Sequence, residues 1–318
     1  MEEPKEKTLQ EQIEEKYGCS CEDLDNIIRN QELHDPEIAR AAFEAGIFYP
    51  RILYQDAPTD VRDKLIDLLD KGEPDKNLVN KYLVALAMIG DDTVAEYFQK
   101  WEAAPKPWRD SLYVGPCQYA EEGGWCIEDG KRRPLFFDEC YALEKSETAA
   151  PEENVYGGTA EEKCPFCDSS YCNVLVLDGR DERLSFLGLH GKIKIKYCEG
   201  CLPWSGTVFS KYTEDGESTV LIHEDGEDYF CEDEDLNDRT PFVLSKKMVP
   251  KSYCDEFDRC AVGGRPAFLN DATFAVCPEC GKKMMHLAQL GDDWTTCGTH
   301  YIQICRDCQI AAIQYQQT

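Results

Sequence analysis

Cys164-Pro-Phe-Cys167 with Cys198-Glu-Gly-Cys201, and Cys277-Pro-Glu-Cys280 with Cys305-Arg-Asp-Cys308, decide how the second half of this 318-residue chain is read. Two residues between cysteines let one tight turn aim both thiolates at a single ion, about 2.3 Å away when it is zinc; a second such turn completes a tetrahedron. Thirty residues separate the pairs of the first set and 24 those of the second, room for a hairpin or small sheet and the layout of a zinc ribbon. Each set therefore defines a metal site, Cys164, Cys167, Cys198 and Cys201 in one and Cys277, Cys280, Cys305 and Cys308 in the other. Two structural zinc ions are expected. Buried thiols or a disulfide framework are the alternatives, and a rubredoxin-like iron centre would use the same knuckles.

The residues around the cysteines support the ribbon reading. Cys277-Pro-Glu-Cys280-Gly281 has Pro inside the turn and Gly just past it, where a positive φ is often needed. Lys192-Ile-Lys-Ile-Lys-Tyr197 alternates polar and apolar residues, the period of a half-buried strand, and Thr299-His-Tyr-Ile-Gln-Ile304 plays that part in the second set. Asn173-Val-Leu-Val-Leu177 and Ser218-Thr-Val-Leu-Ile222 also read as strands.

Residues up to Trp108 read as helices instead. Thr8 and Glu11 form a capping box before Leu9, Ile13 and Tyr17, and Asp35-Pro36 caps a helix carrying Ile38, Ala41 and Ala42 that Gly46 ends. Thr59 starts a helix with Val61, Leu65, Ile66, Leu68 and Leu69 inward; Asp75 and Asp91 start two more, closed by Gly90 and by the break at Pro105-Lys-Pro107. The stretch Asn77 to Glu102 has the pattern of an antiparallel pair of the HEAT or armadillo kind.

The expected fold is α+β: a helical, HEAT-like domain over 1–108, a connector and linker over 109–162, and an internally duplicated β-rich body. Its two units, 163–239 and 240–318, would each hold one zinc ribbon. Lys145 to Glu162, rich in Glu, Ala, Thr, Gly and Pro, is the expected boundary.

Composition bounds the function. There are 62 acidic against 34 basic residues, a net charge of −28, which repels a phosphate backbone and steers basic proteins inward. Lys192, Lys194 and Lys196, and Lys282-Lys283, are basic patches too small to reverse that field. No apolar run approaches the roughly 20 residues of a membrane span, and the charged start Met-Glu-Glu-Pro-Lys-Glu-Lys has no signal core, so a soluble cytoplasmic protein is expected. In a reducing compartment, 18 cysteines favour metal over disulfides. Glu224 to Asp238 holds nine acidic residues in fifteen without the ligand order of an EF-hand, and reads as a solvated loop.

No residue is assigned a catalytic role. Four-cysteine sets are closed, whereas catalytic zinc keeps an open position. Gly-x-Ser-x-Gly, His-Glu-x-x-His, Walker and Gly-x-Gly-x-x-Gly motifs are absent, as is the zinc-deaminase signature. His34, His190, His223, His286 and His300 read as structural. So do Cys19, Cys21, Cys117, Cys126, Cys140, Cys172 and Cys297, as small apolar residues. Cys254 and Cys260, with Cys231, are spaced for no tight knuckle and read as buried thiols rather than a third site.

The order Gly263-Gly264-Arg-Pro266, Cys277-Pro-Glu-Cys280-Gly281, Met284-Met-His-Leu287-Ala-Gln289-Leu290, Cys305-Arg-Asp-Cys308, Tyr315-Gln316-Gln317 resembles the bacterial YwqG-like family. In motif order it is also similar to the C-terminal region of the eukaryotic programmed cell death protein 2 family. The likeness spans about a fifth of the chain, and the helical N-terminal part and acidic loop depart from it. It implies zinc binding and protein binding rather than catalysis: immunity against a toxin, or escort of a basic ribosomal protein. From the residues themselves, Gly263-Gly264 reads as a turn and Gln289 as the polar end of an apolar strand. A basic protein partner is thus expected, a toxin domain or a ribosomal or nucleic-acid-binding protein, with no direct contact to nucleic acid or membrane. Two alternatives stay open: an enzyme with a cleft between the β units, using acids of Glu224 to Asp238 or His286 and His300, and a zinc-ribbon nucleic-acid-associated factor.

Overall fold

The computed structural model describes residues 36–49, 51–221, 241–255, 259–291 and 298–317. The capping box at Thr8 and Glu11, the acidic run Glu224 to Asp238, His34, His223, Cys19, Cys21, Cys231 and Cys297 lie outside the described residues. The chain divides into two compact units between Pro134 and Leu135.

In the first unit, helices α1 (Pro36–Glu44), α2 (Thr59–Lys71), α3 (Lys76–Ile89) and α4 (Asp92–Ala103) start and stop close to where the caps place them. Asp75 accepts the Asn77 amide at 2.8 Å and Asp91 the Val94 amide at 2.9 Å, satisfying orphan donors of the first turns. The apolar stripes turn inward: Leu65, Leu69, Leu83, Leu86, Phe98 and Trp101 are fully buried. Each such side chain stabilises the fold by about 1.5–3 kcal/mol relative to exposure. Burying tryptophan requires a partner for its N–H. Trp101 donates to Asp70 Oδ1, Trp108 to the Leu69 carbonyl and Trp125 to the Ala87 carbonyl, each at 2.8 Å. A hairpin of β1 (Trp125–Glu128) and β2 (Lys131–Pro134) completes the unit.

The second unit is built on two antiparallel sheets. The smaller orders β4 (Thr159–Lys163), β5 (Ser170–Asp178) and β6 (Lys192–Tyr197). The larger contains β3 (Phe137–Lys145), β7 (Thr207–Tyr212), β8 (Ser218–Val220), β9 (Phe242–Leu244), β10 (Ala261–Gly264), β11 (Met285–Leu290), β12 (Thr299–Cys305) and β13 (Ile310–Gln316), in the order β8-β7-β13-β12-β11-β10-β3-β9. Val174, Ile193, Ile195, Val208, Ile302 and Ile313 are buried in one continuous core.

Three expectations are corrected. The stretch 109–162 is no connector: it is split between the units, and β3 lies inside the large sheet between β10 and β9. Lys145 to Glu162 is likewise no linker. Ser146 donates to the Pro241 carbonyl, Val155 to Phe242 and Gly157 to Asn173. Gly157 serves close packing, since a Cβ there would lie 2.7 Å from both Asn173 Cβ and Val176 Cγ2. The pair Gly263-Gly264 is not a turn but the end of β10, with φ of 78° and 72° where the register against β3 shifts. A Cβ at Gly263 would stand 2.1 Å from the Glu139 carbonyl oxygen, so only glycine permits that approach.

Candidate metal centres

Three of the four Cys-x-x-Cys pairs stand where a strand ends, after β4, after β6 and at the end of β12, while Cys277 follows an irregular segment; hydrogen bonds shape the first pair of each set into a knuckle. Cys164 donates its amide to the Ser169 carbonyl at 2.8 Å, and its own carbonyl receives the Asp168 amide at 2.9 Å. Cys277 repeats this with Lys282 at 2.8 Å and Gly281 at 2.9 Å. The residue after the second cysteine must turn left-handed, and Asp168 (φ 59°) and Gly281 (φ 73°) both do. Asp tolerates that region better than most residues, which is why the first knuckle closes without glycine. The returning knuckles differ. After Cys308 the chain turns at Gln309 (φ 55°) into β13, whereas after Cys201 it enters the single helical turn Leu202–Ser205.

These turns bring both sets of four cysteines together. In each set the four sulfurs lie within 4.8 Å of one another. Cys164 Sγ is 3.7 Å from Cys201 Sγ, Cys167 is 3.4 Å from Cys198, and Cys280 is 3.7 Å from Cys305. Four sulfurs bonded at about 2.3 Å around one ion stand roughly 3.8 Å apart, while a disulfide brings them to about 2.05 Å. The separations fit a shared ion, and all eight cysteines are free thiols. Among the described residues, these two sets are the only groups of three or more His, Cys, Asp or Glu side chains placed to share one ion.

The electrostatics also call for a cation. Burial and the neighbouring thiols push Cys198 far above its ordinary range and Cys201 up to about 12. Cys167 moves the other way: burial opposes ionisation, but hydrogen bonds from Ser169, Cys198 and Cys201 outweigh it. In the second set burial and crowding push Cys305 up to about 11 and raise Cys308. Cys280 is lowered, above all by a backbone hydrogen bond from Lys282. Four thiolates this close ionise together only around a positive charge. Exposure separates the two sites: Cys164, Cys198 and Cys201 are at most 1% exposed, whereas Cys280 is exposed and Cys305 and Cys308 are half-buried.

A group of residues that the motifs do not reveal positions the second knuckle. Segment 266–276 runs to Cys277 along the large sheet without forming a strand of it; apart from a backbone bond from the Met284 amide to the Ala275 carbonyl, side chains tie it down. Gln289 Oε1 accepts the Ala267 amide at 2.9 Å, Tyr301 Oη accepts from Leu269 and donates to the Ala267 carbonyl, and Gln316 Oε1 accepts from Asn270. Gln303 Oε1 accepts the Ala275 amide at 2.7 Å while its Nε2 donates to the Thr273 carbonyl at 3.0 Å. Gln289, the penultimate residue of β11, and Gln303 are both fully buried. The available signal was glutamine recurring in strands of otherwise apolar character.

The described histidines, His190, His286 and His300, form no shared site. His190 is exposed, with its amide on Glu214; His300 packs between the rings of Tyr197 and Tyr315 at 5.6 and 5.4 Å. His286 is fully buried, neither ring nitrogen has a hydrogen-bond partner, and burial pushes its pKa down to about 3. Cys260 Sγ accepts the Gly291 amide at 3.2 Å, and Cys140 and Cys254 pack with Ala261, all away from the two sets. Of the lysine patches, Lys196 pairs with Glu162 and Lys283 donates to the Phe274 carbonyl. No described helix is long and apolar enough to cross a membrane.

With both centres in place, relatives can be compared over the whole chain. A protein of Salmonella typhimurium, uncharacterized protein YpfL, is 32% identical over 316 aligned residues covering 93% of this chain and 69% of the relative. The chain belongs to the YpfL family. The match takes in both units, so family membership is not a matter of the cysteine knuckles alone. No protein-family model matches the chain, and no solved structure matches it.

Proposed function

We propose that this chain is a non-enzymatic, cytoplasmic zinc protein that binds a basic protein partner. The observation that carries the metal reading is the closed geometry of the two sets, four sulfurs within 4.8 Å of one another in each, with facing pairs at 3.4–3.7 Å. Such a site leaves no position for substrate, and zinc without redox chemistry or a preferred d-electron geometry suits it. Each ion would pin turns that bury little apolar area of their own, with binding worth roughly 10–16 kcal/mol in comparable peptides.

The partner reading rests on charge. Net charge is −28, and two zinc ions each held by four thiolates would bring it to about −32. A field of that sign speeds encounter with a cationic surface and disfavours nucleic acid. The motif order shared with the YwqG-like and programmed cell death protein 2 families supports an immunity or escort role, with a toxin domain or ribosomal protein as partner.

The strand order supports internal duplication. Each half runs strand, knuckle, strand, strand, knuckle, strand: β4, β5, β6, β7 in one and β10, β11, β12, β13 in the other. The first three strands form an antiparallel meander in both, and the final strands β7 and β13 pair with each other. We read the repeats as starting at β4 and β10, and the α3–α4 pair as HEAT-like.

Elemental analysis of the purified chain together with affinity capture from its native cell tests the whole reading. Two zinc ions per chain and a basic protein whose retention falls with salt are expected. A metal-free chain, or capture indifferent to salt, would overturn it.

A further inference from the structure

The two centres share one ligand set but not one environment, and the difference falls on reactivity. Three of the four first-set cysteines are sealed from solvent, whereas in the second Cys280 is exposed and its neighbour Cys305 is half-buried with its sulfur 3.7 Å away. Oxidants attack accessible thiolates, and a second sulfur within reach resolves the product. We propose that the second cysteine set is a peroxide-sensitive switch in which Cys280 and Cys305 form a disulfide and release the zinc. The proposal rests on the zinc reading above.

The Cys280 thiolate attacks one oxygen of hydrogen peroxide, breaking the O–O bond, forming the sulfenic acid and releasing hydroxide. The Cys305 thiolate then attacks the Cys280 sulfur, forming the S–S bond and displacing a second hydroxide. Two solvent protons convert both hydroxides to water; the two sulfurs have lost two electrons and the peroxide has gained them. Cys277 and Cys308 remain, two ligands where four held the ion, and zinc leaves as the dication.

The surrounding structure gives the step a consequence. The loop from Cys277 to Lys282 closes on itself through two backbone bonds, and directly beneath lie Ala275, Met284, Ile310 and Ala312, a small apolar cluster separate from the main core. Segment 266–276 stays tied to the sheet by Gln289, Tyr301, Gln303 and Gln316. Loss of the ion would therefore loosen the knuckle locally and uncover that cluster while the sheet persists.

The test uses the full zinc-loaded chain and hydrogen peroxide at a tenfold excess. Metal content is measured first: fewer than two zinc ions at this stage refutes the zinc reading itself, independently of the switch. Zinc release is then followed with a chromogenic chelator, and reduced and oxidised cysteines are mapped by differential alkylation and mass spectrometry. The expected result is release of one ion of the two, a Cys280–Cys305 disulfide, and Cys164, Cys167, Cys198 and Cys201 still reduced. Dithiothreitol with added zinc should restore the second ion. Release of both ions at equal rates, release with Cys280 and Cys305 still reduced, or no release would overturn the proposal. Because the chain is unsubstituted, a variant that fails to fold cannot confuse the outcome.

Discussion

Gln303 holds Ala275 from within the sheet: its Oε1 accepts the Ala275 amide at 2.7 Å, two residues before the candidate ligand Cys277. The same side chain donates to the Thr273 carbonyl at 3.0 Å and to Gln314 Oε1 at 2.8 Å. One buried glutamine thus substitutes for a missing strand partner and sets where the second knuckle begins.

Replacing it should affect both stability and metal. In Gln303→Leu the buried Ala275 amide and the buried Gln314 Oε1 lose their Gln303 partner, and each orphaned buried group costs about 1–3 kcal/mol. A total loss of about 2–4 kcal/mol is expected, measured by urea denaturation of the metal-loaded chain. Metal should also leave the second site faster under a chelator, with the first site unchanged.

Removing ligands should separate the sites. Cys164→Ser should cut metal content from two ions per chain to one and loosen the β4–β6 sheet, and Cys305→Ser should do the same around β11–β13. Elemental analysis with limited proteolysis reads both effects. A variant that keeps two ions would refute the assignment of its site.

How much of this was legible beforehand follows from the range of each interaction. The knuckles could be read because spacing, Pro and Gly act within five residues, and the caps at Asp75 and Asp91 are equally local. β3 was missed because Phe137, Cys140 and Leu143 stand among Arg-Arg-Pro and charged residues, and only pairing with β9 and β10 makes them a strand. The glutamine clamp was missed for the same reason: Gln303 and Ala275 lie 28 residues apart, and nothing near either one announces the other.

Gly157 tests the misread linker. Its composition resembles a flexible joint, yet the added methyl of Gly157→Ala would meet Asn173 and Val176 at 2.7 Å. Overpacking there should destabilise the second unit by about 1–3 kcal/mol. A genuine linker would tolerate or gain from the change through reduced chain entropy, so a thermal melt decides between the two by sign.

His286 should make stability depend on pH in a defined window. Its imidazole is fully buried with neither nitrogen hydrogen-bonded, so burial disfavours the charged form and lowers the pKa from 6.5 to about 3. The unfolded chain, with an ordinary histidine, binds the proton first. Between pH 6.5 and about 3 it holds more protons than the folded chain, and stability falls as pH falls, by at most about 1.4 kcal/mol per pH unit from this one group. Above pH 6.5 both states are neutral and the contribution is constant. Thiolate protonation and metal loss add their own acid sensitivity, so the informative quantity is a difference. His286→Phe, which removes the titrating group at similar volume, should flatten the denaturation free energy between pH 6.5 and 5 relative to the unsubstituted chain. Parallel curves for the two proteins would show that His286 is protonated in the folded state after all.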